Sequence, residues 1–269
     1  MLPDYHWHTR RCGHAAGEME EYLNLARAKG LKEIGFADHI PMYWLPAGKR
    51  DPGLAMSEGE LPIYVAQVTR LREENPDLTI RLGIEADYIP GQDEALRKLL
   101  AGHPLDYIIG SVHYLDDGWG FDNPSNRGEY TRRNLEEIYA AYFFLIQRAA
   151  QSGLFDIMAH PDLIKKFGYR PAGDLTSWYD QTASIFAGAG VCVEVNTAGL
   201  AAPAGEIYPA LDFLMLCRRY GVPVVAGSDA HSPDQVGQWW KEALLWIKEA
   251  GYREAATFAH RCRRMVPLE

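Results

Sequence analysis

Cysteine is scarce and scattered in this chain. Its 269 residues include four, Cys12, Cys192, Cys217 and Cys262, with no C-x-x-C pair. That spacing excludes a zinc ribbon and provides no disulfide framework. Positive charge is in deficit as well: 27 Lys and Arg stand against 36 Asp and Glu, a formal net charge of −9. A general binder of nucleic acid carries the opposite balance, so no nucleic-acid partner is expected. Long apolar runs are missing. No stretch approaches the roughly 18 apolar residues of a membrane span, and no basic segment leads into an apolar one at the N-terminus. Neither membrane nor secretion is expected, and the cytoplasm is the expected location. The chain lacks internal repeats, low-complexity tracts and Gly/Ser/Pro linkers, which favours one domain over residues 1–269. It also lacks a G-x-S-x-G elbow and a P-loop.

What is present is alternation. With 47% hydrophobic residues, the chain can bury a large core. Short apolar runs recur at Leu2–His8, Lys32–Ala37, Thr79–Ile84, Leu105–Val112, Phe155–Ala159, Val191–Val195 and Val222–Ala226. Between them lie helical spacings at Gly17–Lys29, Glu60–Glu74, Asp93–Ala101, Thr131–Gln151, Leu175–Ala189, Glu206–Tyr220 and Pro233–Ala250. Several stop at a glycine, among them Gly30, Gly190 and Gly221. Strand–helix alternation implies parallel strands, and seven units in this length suit an α/β closed barrel, with a doubly wound open sheet as the second choice. Two long connections, Pro41–Glu60 and Asp116–Gly128, are candidates for functional loops.

Polar residues fall on this map in a pattern. Three of the nine histidines, His6, His8 and His14, lie within the segment DYHWHTRRCGH. In an extended strand His6 and His8 share a face, opposite Tyr5 and Trp7. Asp38 and His39 close the second run, Glu85 the third, His113 the fourth and His160 the fifth; Glu194 and Asn196 end the sixth, and Asp229 and His231 follow the seventh. In a parallel barrel those strand ends gather on one face, where active sites of such barrels sit. A buried cluster of this composition requires partners or metals.

The ordered segments HWH (6–8), CGHA (12–15), GFADH (35–39), GIEADY (83–88), GSVHYL (110–115), AHPDLIKKFG (160–168, with Ala159 ahead of it), EVNTAGL (194–200) and GSDAH (227–231) resemble the polymerase-and-histidinol-phosphatase (PHP) superfamily. Within it, the chain looks most like the histidinol-phosphate phosphatases. The resemblance implies a distorted TIM-like barrel of seven parallel strands, (β/α)7, holding two to three divalent metal ions (zinc, iron or manganese). Carried onto this sequence, His6, His8, Glu85 and Asp229 would hold the first ion. Glu85, His113 and His160 would hold the second, with Glu85 bridging, and His14, His39 and His231 would hold the third. Glu85, Asp229 and His231 would be catalytic. The implied reaction is hydrolysis of a small phosphate ester, L-histidinol phosphate, by a hydroxide held between metals, in histidine biosynthesis. Imidazole and carboxylate donors suit those metals without thiolate.

Around this set, Lys165, Lys166 and Arg170 are candidates for substrate binding, and Asp38 for orienting a ligand. Cys12 reads as a small packed residue, Ser111 and Tyr114 as structural, His103 and His260 as outside the site, and Trp44 and Trp119 as pocket wall or loop packing. One departure stands out. Where the histidinol phosphatases carry a basic pair after NTAGL, this chain has Ala201 and Ala202. Either the nearby basic residues compensate or substrate preference has shifted toward nucleotides or other phosphate esters. An inactivated PHP module and an amidohydrolase barrel are further alternatives; the intact ligand positions weigh against the first and the order of the later motifs against the second.

Overall fold

The computed structural model describes residues 2–115 and 118–268. Seven strands, β1 (Asp4–Trp7), β2 (Glu33–Phe36), β3 (Thr79–Asp87), β4 (Tyr107–Ser111), β5 (Ile157–Met158), β6 (Cys192–Asn196) and β7 (Val224–Gly227), pair in chain order. All are parallel, and β1 pairs with β7, so the sheet closes into a barrel and the open-sheet alternative is excluded. Helices α1 (Met19–Ala28), α2 (Leu61–Glu74), α3 (Asp93–Leu100), α4 (Leu135–Gln151), α5 (Thr176–Ala189), α6 (Leu211–Arg219) and α7 (Trp240–Glu249) complete the (β/α)7 arrangement. Among the described residues no helix is long and apolar enough to cross a membrane.

Helix boundaries follow local chemistry. Glu18 and Glu21 form a capping box ahead of α1, and the Asn134 side chain caps α4, which therefore starts at Leu135 and not at Thr131. The helix expected from Glu206 starts at Leu211, because Tyr208 pairs with Asn196 at the end of β6. The helix expected from Pro233 starts at Trp240, because the preceding loop is bonded to β1 through Asp4, whose carboxylate accepts from Ser228 N (2.9 Å) and Gly237 N (3.1 Å). Asp116 and Asp117, which open the loop expected at 116–128, lie outside the described residues.

Glu85 sits inside β3 and not at its end, since the strand runs on to Asp87. β1 is also irregular, with a register shift against β2 between Asp4 and Trp7. As a result Tyr5 and Trp7 do not share one environment. Trp7 packs against Tyr22 and Phe36 under α1, whereas Tyr5 joins Tyr107, Ile109, Ile157, Cys192 and Val225 in a separate core. That second core is the barrel interior, with one buried layer below the polar strand ends.

The feature absent from the sequence reading is a hairpin, β8 (Glu254–Ala259) and β9 (Cys262–Pro267), antiparallel and outside the barrel sheet. Ala256 and Phe258 of β8 pack into the interior core. Phe258 N donates to the Tyr5 hydroxyl (3.1 Å), and Arg261 pairs with Asp156 (2.9 Å). The hairpin thus closes the end of the barrel opposite the polar strand ends.

Tyr107 is, with Tyr5, one of the two largest side chains of the interior core, and glycine makes room for it. A Cβ on Gly35 would stand 2.0 Å from the Tyr107 hydroxyl oxygen and 2.8 Å from Cζ. Tyr107 is fully buried and donates to Tyr5 O (2.6 Å), so it has no free volume to retreat into. Gly35→Ala should destabilise the fold by about 1–3 kcal/mol, the usual cost of overpacking, read as a fall in Tm of about 2–4 °C per kcal/mol. An unchanged Tm in thermal denaturation would contradict this packing.

Candidate metal centre

The strand ends converge as their order requires. His6 (in β1), His8, His39, Glu85, His113, His160, Asp229 and His231 lie around one mouth, and His14 reaches it from the β1–α1 connection. Ring centroids are 4.4 Å apart for His8–His39, 4.1 Å for His8–His231, 4.9 Å for His14–His231 and 5.1 Å for His113–His160. Two of these residues carry left-handed backbone, His160 at φ 26° and Asp229 at φ 53°. Such strain in non-glycine residues persists only where surrounding structure enforces it, commonly at functional sites.

Glu85 is the hub. It is 1% exposed, and each oxygen has its own imidazoles. Oε2 lies 3.0 Å from His39 Nδ1, 3.3 Å from His6 Nε2 and 3.5 Å from His8 Nε2; Oε1 lies 3.2 Å from His160 Nε2 and 3.8 Å from His113 Nε2. Asp229 Oδ1 stands 3.0 Å from His8 Nε2, and Oδ2 accepts from Asn196 Nδ2 (3.2 Å).

Four imidazoles have their tautomer decided by their neighbours. His6 Nδ1 donates to Glu194 (2.7 Å) and His113 Nδ1 to Asp87 (2.9 Å). His14 Nδ1 faces Cys12 O and Gly53 O (3.0 Å each), and His231 Nδ1 donates to Asp229 O (2.9 Å). Carbonyls and carboxylates only accept, so Nδ1 carries the proton and Nε2 presents a lone pair. This is how metal-binding imidazoles are usually oriented. His6 Nε2, both ring nitrogens of His8 and His160 Nδ1 are buried without a hydrogen-bond partner. Buried nitrogens of this kind are costly unless something else satisfies them.

The electrostatics point the same way. Burial pushes Glu85 up, but His39 and His6 overcome it and hold the carboxyl well below the usual range. Asp229 is likewise driven down by His6 and His8 against its burial. Burial lowers His8, yet Asp229 and Asp38 lift it to about 9; burial lowers His113, yet Asp87 lifts it to about 10. Burial and the neighbouring His8 take His231 down to about 3. The carboxylates thus draw positive charge onto the cluster, and divalent cations can replace protons in that role. The nitrogen and oxygen donors, the orphaned lone pairs and the charge balance all fit divalent metals.

Sequence reasoning missed three carboxylates as site residues. Glu194 is buried and accepts from His6, from His160 N (2.9 Å) and from Asn196 Nδ2 (3.1 Å). Asp87 fixes His113, also accepting from its backbone N (3.1 Å). Asp122, in the β4–α4 connection, pairs with Lys166 (3.1 Å). Asp122 lies in a connection the sequence marks as a candidate functional loop, but nothing there singles out this residue, whereas Glu194 follows the strand-end pattern. Asp38 contacts Thr9 Oγ1, accepts from His39 N (2.8 Å) and lies 3.6 Å from His8 Nδ1. Cys12 is buried, and burial together with Asp38 pushes its thiol up, away from thiolate.

The basic candidates separate. A cavity of about 420 Å³ opens over the cluster, and Lys166 lines it, but neither Lys165 nor Arg170 does. Lys165 is 2% exposed, held by Asp162 (2.7 Å), Glu206 (3.2 Å) and Ile207 O (3.2 Å), and Arg170 is held by Glu206 (2.8 Å). Both are committed to structure. Ala201 and Ala202 continue the turn after β6, donating to Ala198 O (3.0 Å) and Gly199 O (3.2 Å), and neither lines the cavity. Tyr114 does line it, with Trp44 packed edge-on against the tyrosine ring. Trp119 is buried against Tyr130. His260 occupies the β8–β9 turn, at the other end of the barrel.

Comparison with known proteins places this geometry. Residues 4–198 match the family described as PHP domain, and residues 214–243 match PHP-associated. The chain belongs to the PHP family. A "Probable histidinol-phosphatase" of Deinococcus radiodurans is 41% identical, with 99% of each chain covered. The histidinol-phosphatase of Bacillus subtilis is 29% identical over 90% of this chain and 97% of its own. In fold, the histidinol phosphate phosphatase of Lactococcus lactis, solved with zinc, L-histidinol and phosphate, superposes with a TM-score of 0.79 at 23% identity, covering 98% of both chains. The His, Glu and Asp side chains that this PHP chain gathers are donors of the kind a divalent metal takes.

Two outcomes follow for the PHP site and its surroundings. Glu194→Gln keeps the shape but weakens the acceptor for His6, and should lower metal affinity about 10- to 100-fold, measured by chelator competition with circular dichroism unchanged. Lys165→Ala strips a buried cation from Asp162 and should cost about 3–5 kcal/mol; Lys166→Ala, on the cavity wall, should leave Tm nearly unchanged in the same scan.

Proposed function

We propose that this protein is a metal-dependent phosphomonoesterase that hydrolyses L-histidinol phosphate to L-histidinol and phosphate, a step of histidine biosynthesis, in the cytoplasm, with residues 1–269 acting as one PHP domain. The observation that carries the reading is the pair of Glu85 oxygens, each facing a different set of imidazoles. The names of the D. radiodurans and B. subtilis relatives and the histidinol and phosphate in the L. lactis structure support the substrate.

In this reading His6, His8, Glu85 and Asp229 hold one ion and Glu85, His113 and His160 a second. His14, His39 and His231 hold a third. Two to three ions is the expected content, because His39 reaches Glu85 Oε2 as well as the neighbourhood of His14. Zinc, iron or manganese suits these donors. When bound, such ions supply Lewis acidity toward the phosphoryl oxygens and make water more acidic.

The chain's own residues do the rest. Glu85 keeps both imidazole sets in register from a site that excludes bulk water. Asp229, held by Asn196 and lining the cavity, is placed to take a proton from attacking water. His231 lines the same wall with Nδ1 already committed, so Nε2 is the atom it offers to the third ion. Lys166 is the cavity's cation for the phosphate. No side chain serves as nucleophile, since Cys12 is buried and neutral. Water therefore attacks phosphorus directly.

Metal analysis of purified protein, together with phosphate release from a panel of esters, tests this. Histidinol phosphate should be the best substrate, with no phosphoryl adduct trapped on acid quenching. Glu85→Ala removes a donor from two ions at once and should cut both metal content and turnover, the latter by about a hundredfold or more. Full metal and activity in that variant would refute the assignment; faster hydrolysis of nucleotides or cyclic diesters would replace the substrate.

A further inference from the structure

We propose that Asp122 selects an ammonium group adjacent to the phosphate, so that the cavity is built for phosphate monoesters of 2-amino alcohols. The inference rests on the phosphatase reading above and deepens it. Outside the histidine, Glu85 and Asp229 constellation, the charged residues lining the cavity among the described residues are Asp87, Asp122 and Lys166. Asp87 is committed, since its Oδ1 accepts from both His113 N and His113 Nδ1. Asp122 and Lys166 remain, 3.1 Å apart, with side chains 25% and 28% exposed. They form a pair open to the cavity, unlike the sealed Lys165–Asp162 pair.

A carboxylate beside the bay that receives a phosphate dianion is unfavourable unless it has a further purpose. Once Lys166 turns to a phosphoryl oxygen, Asp122 loses its partner in a partly desolvated wall and repels the substrate. An ester that carries its own cation reverses both penalties. In a 2-amino alcohol phosphate the nitrogen and the ester oxygen are on neighbouring carbons. The substrate therefore presents a cation and an anion spaced to meet Asp122 and Lys166 together, exchanging one ion pair for two. Esters without the amine bear the full repulsion, so Asp122 discriminates by rejection as well as by attraction. Met42, Leu54 and Ala55 also line the cavity and accommodate the remaining, less polar part of the molecule.

The test compares L-histidinol phosphate with its amine-free counterpart, 3-(imidazol-4-yl)propyl phosphate. Wild-type protein should favour the amine by about 10- to 100-fold in kcat/KM, the range for a hydrogen bond to a charged group. In Asp122→Asn the preference should collapse to within about threefold, with metal content unchanged, while Lys166→Ala should weaken both esters alike. Equal use of the two esters by wild type overturns the proposal without needing any variant to fold. So does an Asp122→Asn protein that loses both activities equally. If histidinol phosphate is not hydrolysed but another 2-amino alcohol phosphate, such as phosphoethanolamine, is turned over in an Asp122-dependent way, the histidinol reading fails and the role of Asp122 stands. Turnover confined to amine-free esters, or of no ester at all, overturns it.

Discussion

A carboxylate removed from water must be compensated, and in this protein that one requirement, at Glu85, organises everything around it. Five imidazoles from four strand ends, two of them from β1, converge on its two oxygens. An outer set of acceptors orients the rings in turn: Glu194 behind His6, Asp87 behind His113, and the Asp229 carbonyl behind His231, which stacks on His8. The result is concentric, with a central anion, a shell of rings and a rim of oxygens. In a medium of low polarity each layer is favourable only because the next is present, which is why the site behaves as a unit and not as nine separate residues.

The barrel supplies the geometry that such a shell needs. Parallel strands in chain order bring every C-terminal end to one mouth, and the interior is graded along its axis. Tyr5, Tyr107 and Phe258 fill the base, and small and aliphatic residues fill the middle. Glycine opens space for the polar layer at the top. A Cβ on Gly227 would stand 2.2 Å from Glu194 Oε1 and 2.6 Å from His6 Cβ. Any side chain there would displace the carboxylate that sets the His6 tautomer, so the direction in which His6 presents its Nε2 lone pair depends on an atom missing from β7.

Much of this was legible in the sequence because two periodicities wrote it there. Alternation of apolar runs with helical spacing pointed to seven parallel strands and favoured a closed barrel over an open sheet, and the recurrence of His, Asp or Glu at run ends gave the converging set around Glu85. The unread parts share a physical cause: they depend on pairing between distant segments. The β8–β9 hairpin lacks strong alternation in its outer strand, which is mostly exposed. The different surroundings of Lys165 and Lys166 are invisible in a dipeptide, because one points to Asp162 and the other to Asp122. The late starts of α6 and α7 come from Tyr208 pairing with Asn196 and from Asp4 bonding to Gly237, contacts that no local window contains.

The hairpin that closes the base of the barrel also sets an order of assembly. Phe258 N bonds to Tyr5 Oη across a separation of 253 residues, and Asp106 receives the backbone of His260 and Arg261. During synthesis, β1 emerges before every other strand of the barrel and its base-side partners after all of them. Until residues 254–267 have left the ribosome, Tyr5 and Tyr107 lack the ring of Phe258 that covers them. Non-local closure of this kind slows folding and leaves apolar surface open meanwhile. A barrel still waiting for its hairpin would be a cylinder without a floor, and that uncovered base is the surface a chaperone would have to shield.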